Sequence, residues 1–216
     1  MERTQTGSPK LSIIIAVYNM EYLVTAALNS IPRRPDIEVI AYDDGSTDLT
    51  LQILKNYAKD TDLRFKLLVG DKNRGAGYAR NRLLEAASGE WFHSLDSDDW
   101  LYTDAYSGLV DYLYETDSDV VGFNLIMNDG SVHQLTDANK RIICAQTVRF
   151  TRRAFAEGIM FPEDGLFGED WHFNEAVLKR NPKTVYTNRN AYHYNHPRVG
   201  SLCDLYEKGL LKCSID

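Results

Sequence analysis

Glu90-Trp91-Phe92-His93-Ser94-Leu95-Asp96-Ser97-Asp98-Asp99-Trp100 is a short apolar run that ends abruptly in three carboxylates. Read as a strand, it sets hard oxygen ligands at the carboxyl edge of a sheet, where open α/β sheets bind ligands. Asp98 and Asp99, side by side, repel each other unless a cation or a bound polar group compensates. Mg²⁺ or Mn²⁺, which prefer carboxylate and phosphate oxygens, would do so. An acidic turn capping the next helix is the simpler reading of an isolated D-x-D, so the flanking chain has to decide.

Upstream, Leu11 to Tyr18 is an almost unbroken apolar, β-branched run, the pattern of a strand covered on both faces. Asn19 breaks it. A helix follows from Met20 to Ile31, ended by Pro32 and Pro35. Ile37 to Tyr42 reads as a second strand and Asp43-Asp44-Gly45-Ser46-Thr47-Asp48 as its loop, with Ser46 or Thr47 able to cap a helix over Leu49 to Ala58. Phe65 to Val69 is a third strand, Arg74 to Ala87 a helix stopped near Gly89, Asp104 to Tyr114 another helix, and Asp119 to Phe123 a further strand. Strands alternating with helices over short links specify a parallel sheet with helices on both faces.

Beyond Phe123 the rhythm changes. Asn128-Asp129-Gly130 signals a hairpin. Short strands are expected at Ile142 to Ala145, Thr184 to Tyr186 and Ala191 to Tyr194. Helices are expected at Thr151 to Glu157, Glu169 to Lys179 and Leu202 to Leu211. No linker separates the halves, so the second is expected as an appended lobe of one domain, with residues 1–10 a flexible lead-in.

The 216 residues are 44% hydrophobic and 25% charged, ordinary for a globular protein, and the net charge of −7 argues against a nucleic-acid partner. Cys144, Cys203 and Cys213 are odd in number and form no C-x-x-C, which argues against a disulfide framework and fits a cytoplasmic protein. No apolar run approaches a membrane span. Arg33-Arg34 and Arg152-Arg153 read as solvated faces, with contact to an anionic membrane or a lipid-phosphate acceptor as the alternative.

Two acidic loops, Asp43-Asp44 and Asp96 to Asp99, close parallel strands and so meet at one sheet edge. The usual phosphate loops are missing: no G-x-x-x-x-G-K-[ST] occurs, and Arg80 stands where the third glycine of a dinucleotide fingerprint belongs after Gly75-Ala76-Gly77. A cation bridging carboxylate to phosphate is the better candidate. Glu169-Asp170 opens a helix in the second half; helix capping explains one of these acids, and the other can supply a general base facing the sheet-edge acids.

Together these stretches resemble glycosyltransferase family 2, inverting enzymes of the GT-A fold. Ser12 to Asn19 looks like the family's opening strand and Asp43 to Asp48 like its second-strand loop. Asn73-Arg74-Gly75 with Ala79-Arg80-Asn81 resembles its N-x-G-x-x-x-A-R-N helix, Asp96-Ser97-Asp98-Asp99 its D-x-D-D, and Gly168-Glu169-Asp170 its E-D motif. The resemblance runs from about Leu11 to Ser201.

It implies a single domain, with residues 11–123 as the nucleotide-sugar half and 124–216 as the acceptor side. The partners implied are a nucleotide-sugar donor, a UDP-sugar above all, and a glycan or lipid-linked acceptor, with Mn²⁺ or Mg²⁺ as cofactor. Asp44 would contact the base beside Ala16 and Tyr18, and Asp96 with Ser97 the ribose or sugar. Asp98 would hold the metal, with Asp99 sharing or bracing it. Arg80 would lie near the diphosphate or orient Asp96. Asp170, with Glu169 beside it, would take the acceptor's proton. Tyr192 to Ser201 resembles the family's Y-x-Y-R-x-x-x-x-S segment, but Asn195 stands where arginine is common; Arg198 would serve the diphosphate instead, with His193 or His196 as further metal ligands. Trp100 and Trp171, each behind an acid cluster, would offer faces to a sugar ring, against the alternative of core packing. The rivals are a nucleotidyltransferase, disfavoured because Val17-Tyr18-Asn19-Met20 lacks its glycine-rich basic loop, and a non-catalytic sugar-nucleotide binder.

Overall fold

The computed structural model describes residues 7–139, 146–164 and 168–210. Its elements are β1 (Leu11–Val17), α1 (Val24–Ser30), β2 (Ile37–Asp43), α2 (Thr50–Asp60), β3 (Arg64–Val69), α3 (Ala76–Ala86), β4 (Trp91–Ser94), β5 (Trp100–Leu101), α4 (Thr103–Tyr112), β6 (Val120–Met127), β7 (Val132–His133), β8 (Arg149–Arg152), α5 (Glu169–Lys179), β9 (Thr184–Tyr194) and α6 (Leu202–Glu207). The strands form one sheet in the order β3-β2-β1-β4-β8-β6-β9-β5, with β7 paired to β6.

The unbroken apolar run of β1 is explained by what covers it. Ile13, Ile15 and Val17 enter one core with Val24 and Leu28 of α1, Leu54 of α2 and Leu109 of α4. Ile14, pointing the other way, packs with Ala79 and Leu83 of α3 and Phe173 and Val177 of α5. From β1 the chain steps outward through β2 to β3, then crosses back to set β4 on the other side of β1, all four parallel. Strand order reverses there, so a crevice opens beyond the carboxyl ends of β1 and β4.

The sheet is not parallel throughout. Thr151, expected in a helix, lies in β8, antiparallel to both β4 and β6: it sits opposite Phe92 on one side and Val120 on the other. The gap between two parallel strands is filled by a strand from the second half, so ladder pairing claims Thr151 and Arg152, while residues 153–158 form turns. The second half is therefore woven into the sheet, not appended to it. The hairpin at Asn128-Asp129-Gly130 forms as β6–β7. The two short strands expected after Pro182 are one, β9. Its polar middle is carried by register irregularities, where Asn124 Nδ2 donates to the Oδ1 atoms of Asn188 and Asn190, both at 3.0 Å. Ser46 and Thr47 do not cap α2. They tie the β2 loop to Asn19 instead: Asn19 N donates to Ser46 Oγ at 3.0 Å and Thr47 N to Asn19 Oδ1 at 2.9 Å. The strand expected at Ile142 to Ala145 lies outside the described residues.

The basic pairs fold back on the protein. Arg34 bridges Asp36 and Asp111, Arg33 reaches Thr61, Arg152 pairs with Glu90 over the Trp91 ring, and Arg153 donates to the Gly89 carbonyl. Among the described residues no helix is long and apolar enough to cross a membrane.

His93 of β4 is fully buried where β4, β6, β8 and α4 meet, with Phe123 and Phe150 edge-on to its ring. It sits between the Thr147 carbonyl, at 2.9 Å from Nε2, and the Tyr106 hydroxyl, at 2.7 Å from Nδ1. A neutral ring satisfies both, Nε2–H donating and Nδ1 accepting. Burial pulls its pKa down from 6.5 to about 4, the Thr147 carbonyl opposing. The unfolded chain then binds the extra proton first. Stability contributed by the neutral ring is whole above pH 6.5, declines as pH falls below that, and is gone below about pH 4, a loss of about 3 kcal/mol. Urea unfolding of the wild type and His93→Gln between pH 8 and 4 checks this: the wild type's advantage should shrink on acidification, and a constant difference would contradict it.

Candidate active site

The crevice at the β1/β4 reversal is a cleft of about 700 Å³. Ala16, Tyr18, Asp44, Arg80, Asp96, Ser97, Asp98, Glu169, Asp170 and Arg198 all line it. Six segments far apart in sequence thus converge: the ends of β1, β2 and β4, the starts of α3 and α5, and the segment after β9.

At one end Asp44 organises the entry to α3. Its carboxylate accepts from Arg74 N (3.1 and 3.0 Å) and Gly75 N (2.8 Å), the amides that would otherwise open the helix unpaired. Burial raises its pKa, Asp43 adds to that, and the two amides work against it. Tyr18, 38% exposed, borders the same end beside Asn19 and Asn73.

Arg80 holds the middle. It lies buried on α3, donating to Asp96 Oδ1 at 2.9 Å, to Ser94 Oγ at 3.3 Å, and to Glu169 in a close ion pair. Glu169 is therefore a buried anchor. The N-cap position of α5 is Gly168, with φ 100°. Asp170, half-buried on the cleft wall, accepts from Trp171 N at 2.8 Å.

The four residues 96–99 divide their work. Asp96 faces Arg80. Its pKa is pushed up to about 6 by burial, while Arg80 opposes and Asp98 and Asp170 add to the rise. Asp98 faces the cleft and pairs with Arg198 Nη2 at 2.5 Å. Asp99 turns away from the cleft: Tyr192 Oη–H donates to Oδ2 at 2.5 Å and Asn195 N to Oδ1 at 2.8 Å. Burial, with Asp96 and Asp98 nearby, raises the Asp99 pKa well above the usual range. Of the two roles open to Asp99, bracing is the one its contacts support.

Three expected site residues stand elsewhere. His193 does not line the cleft; its Nδ1 takes the Tyr102 hydroxyl and its Nε2–H the Asn128 Oδ1, each at 2.9 Å, leaving no lone pair for a metal. Trp100 stacks on the His193 ring at 3.8 Å and so packs β5 to β9. Trp171 sits edge-on to His172 outside the cleft lining. His196 does border the cleft, stacked on Tyr194, with Nε2 3.5 Å from Glu207. Among the lining residues that the sequence reading did not assign to a site are Glu163 and Cys203. Each stands alone in a stretch without a motif, and Cys203 reaches the cleft through a 2.9 Å contact with the Tyr194 hydroxyl.

Among the described residues no three His, Cys, Asp or Glu side chains converge as a ready-made metal cage. The Asp98 carboxylate, facing the cleft, is nonetheless the right donor type for a hard divalent cation. The residues fit a cation that takes its other ligands from a bound diphosphate and water.

Residues 12–173 match the family described as Glycosyl transferase family 2. The chain is 31% identical over 209 residues to the poly(ribitol-phosphate) beta-N-acetylglucosaminyltransferase TarS of Staphylococcus aureus (strain Mu50 / ATCC 700699), taking in 88% of this chain and 36% of that protein. It is 29% identical over 203 residues to the GalNAc(5)-diNAcBac-PP-undecaprenol beta-1,3-glucosyltransferase of Campylobacter jejuni subsp. jejuni serotype O:2 (strain ATCC 700819 / NCTC 11168), covering 88% of this chain and 64% of that one. The chain thus spans about a third of the first relative's length and just under two thirds of the second's. The crystal structure of S. aureus TarS 1–349 in complex with UDP-GlcNAc superposes with a TM-score of 0.75 at 27% identity, covering 89% of this chain and 60% of that one. From β1 into α5 the match is continuous, and the chain belongs to glycosyl transferase family 2, its mixed sheet being the GT-A fold.

Proposed function

We propose that this chain transfers a sugar from a nucleotide sugar, a UDP-sugar, to a hydroxyl of a glycan or lipid-linked acceptor in cell-surface polysaccharide synthesis, on the cytoplasmic side of the membrane. One observation carries the reading: Asp170 shares a single cleft with Asp96 and Asp98, so a proton acceptor and a diphosphate-side carboxylate can act on one ligand. The relatives support the donor and acceptor classes, since one is a beta-N-acetylglucosaminyltransferase whose crystal structure holds UDP-GlcNAc and another a glucosyltransferase named for an undecaprenol-linked glycan.

The nucleotide lies against the ends of β1 and β2, with Tyr18 and Asp44 beside the base and Asp96 and Ser97 at the ribose or sugar. Arg198 turns from Asp98 to the diphosphate. Asp98 would hold Mn²⁺ or Mg²⁺, which when bound supplies charge neutralisation on the departing diphosphate. Asp170 accepts the proton of the acceptor hydroxyl as that oxygen bonds to the anomeric carbon and the bond to the diphosphate oxygen breaks, inverting the centre. Glu169 and Arg80 act through position: the ion pair fixes the first turn of α5 and hence Asp170.

Three outcomes test this. Asp170→Asn should bind the donor as the wild type does and lose about 10²–10⁴-fold in transfer rate, the usual worth of a positioned base; normal turnover would remove Asp170 from the role. Thermal unfolding with UDP, GDP, CMP and TDP, each with and without Mn²⁺, should show one nucleotide whose stabilisation needs the metal and vanishes in Asp98→Ala. At 100 times its dissociation constant such a ligand adds about 2.7 kcal/mol, and no shift with any of them would overturn the donor site. Arg80→Met should lower unfolding stability by about 3 kcal/mol, because it strands the buried Glu169 carboxylate and unpairs the half-buried Asp96.

A further inference from the structure

Glu163 stands in no motif, yet its carboxylate lines the cleft, and the way it is held gives it a role. Asn81, 1% exposed on α3, grips the segment that carries it. Asn81 Nδ2 donates to the Phe161 carbonyl at 2.9 Å, Phe161 N donates back to Asn81 Oδ1 at 2.8 Å, and Asn81 Nδ2 also donates to Glu163 Oε1 at 2.7 Å. The segment crosses so close to α3 that a Cβ on Gly77 would lie 1.8 Å from the Pro162 carbonyl oxygen, so only glycine admits it there. Phe161 is clamped from below by the stacked Phe173 ring, at 4.1 Å. The exposed loop glutamate is thereby held by Asn81, with one oxygen satisfied and Oε2 without a protein hydrogen bond among the described residues.

The neighbouring anchor decides which ligand it meets. Arg80 and Asn81 are consecutive on α3; Arg80 holds Asp96 and Glu169, Asn81 holds Glu163. Glu163 thus belongs with Asp96 and Glu169 to the wall built on α3, which carries both the proposed sugar contacts and the proposed base, and not to the β9–α6 side. A fixed carboxylate with an open oxygen accepts from hydroxyls more strongly than any neutral group. A phosphate would be repelled there, whereas a sugar hydroxyl can donate to the open oxygen.

Resting on the donor-site reading above, we infer that Glu163 is a specificity-determining residue which accepts a hydrogen bond from a hydroxyl of the donor's hexose, with Asn81 as its positioning residue. Glu163→Gln isolates this, since its amide oxygen keeps the bond to Asn81 while its nitrogen turns the open acceptor into a donor.

The test is calorimetric binding of UDP, UDP-GlcNAc, UDP-glucose and UDP-galactose, all with Mn²⁺, to the full chain and to Glu163→Gln. The wild type should bind at least one UDP-hexose more tightly than UDP, and the variant should lose about tenfold of that preference, equivalent to 1.4 kcal/mol, while its UDP affinity stays at the wild-type value. The unchanged UDP affinity separates a lost sugar contact from a damaged fold. A variant that keeps the wild-type preference, or a wild type that binds every UDP-hexose no better than UDP, overturns the inference. Failure of the wild type to bind UDP at all would instead overturn the donor site on which it rests.

Discussion

A buried guanidinium is the constraint on which this cleft depends. Arg80 cannot leave water without partners, and it finds Asp96 at the end of β4 and Glu169 at the start of α5. One side chain on α3 therefore locks together the first half of the chain and the second. The consequence reaches the neighbours in sequence. Asp98 is two residues from one partner and Asp170 is next to the other, so both cleft-facing acids take their positions from this ion cluster. Asp96 and Glu169 are tied to Arg80, Asp99 to Tyr192 and Asn195, and Asp98 to Arg198.

Much of this was legible in the chain. The β1 run read correctly as a strand covered on both faces, because Ile13-Ile14-Ile15 leaves no polar side to expose. Acids at the ends of β2 and β4 had to meet once the sheet was parallel there. What stayed hidden depends on partners far away in sequence. Adjacent aspartates look alike on paper; that Asp98 faces the cleft and Asp99 the interior is decided by a tyrosine hydroxyl 93 residues on. Residues 151–157 carry good helix formers, and nothing local says that β4 and β6 leave a strand-wide gap between them. Glu163 is one acid in an irregular segment, and its importance comes from Asn81, which in sequence is only a polar residue on a helix.

The misread aromatics show the same thing from the other side. An aromatic after an acid cluster suggests a sugar platform, but Trp100 is used up in stacking on His193, and His193 in bonding Tyr102 and Asn128. Both readings failed through one contact, which gives that contact a purpose. It pins β5 to β9 immediately after the acids, while β4 pins the chain immediately before them.

The loop from Leu95 to Asp99 is thus held at both ends and braced in its middle by the Asn195 amide and side chain, the latter donating to the Asp98 carbonyl at 3.1 Å. Carboxylates packed this closely would spread apart on a flexible loop, since separation lowers their repulsion. Here they cannot spread. The cost of holding like charges together is met by folding, through Trp100, Tyr192 and Arg80, before any ligand arrives. On the proposed function a cation and diphosphate would meet acids already in place, with Arg198 the group that has to leave Asp98, which is the physical advantage of a preorganised site over a merely acidic one.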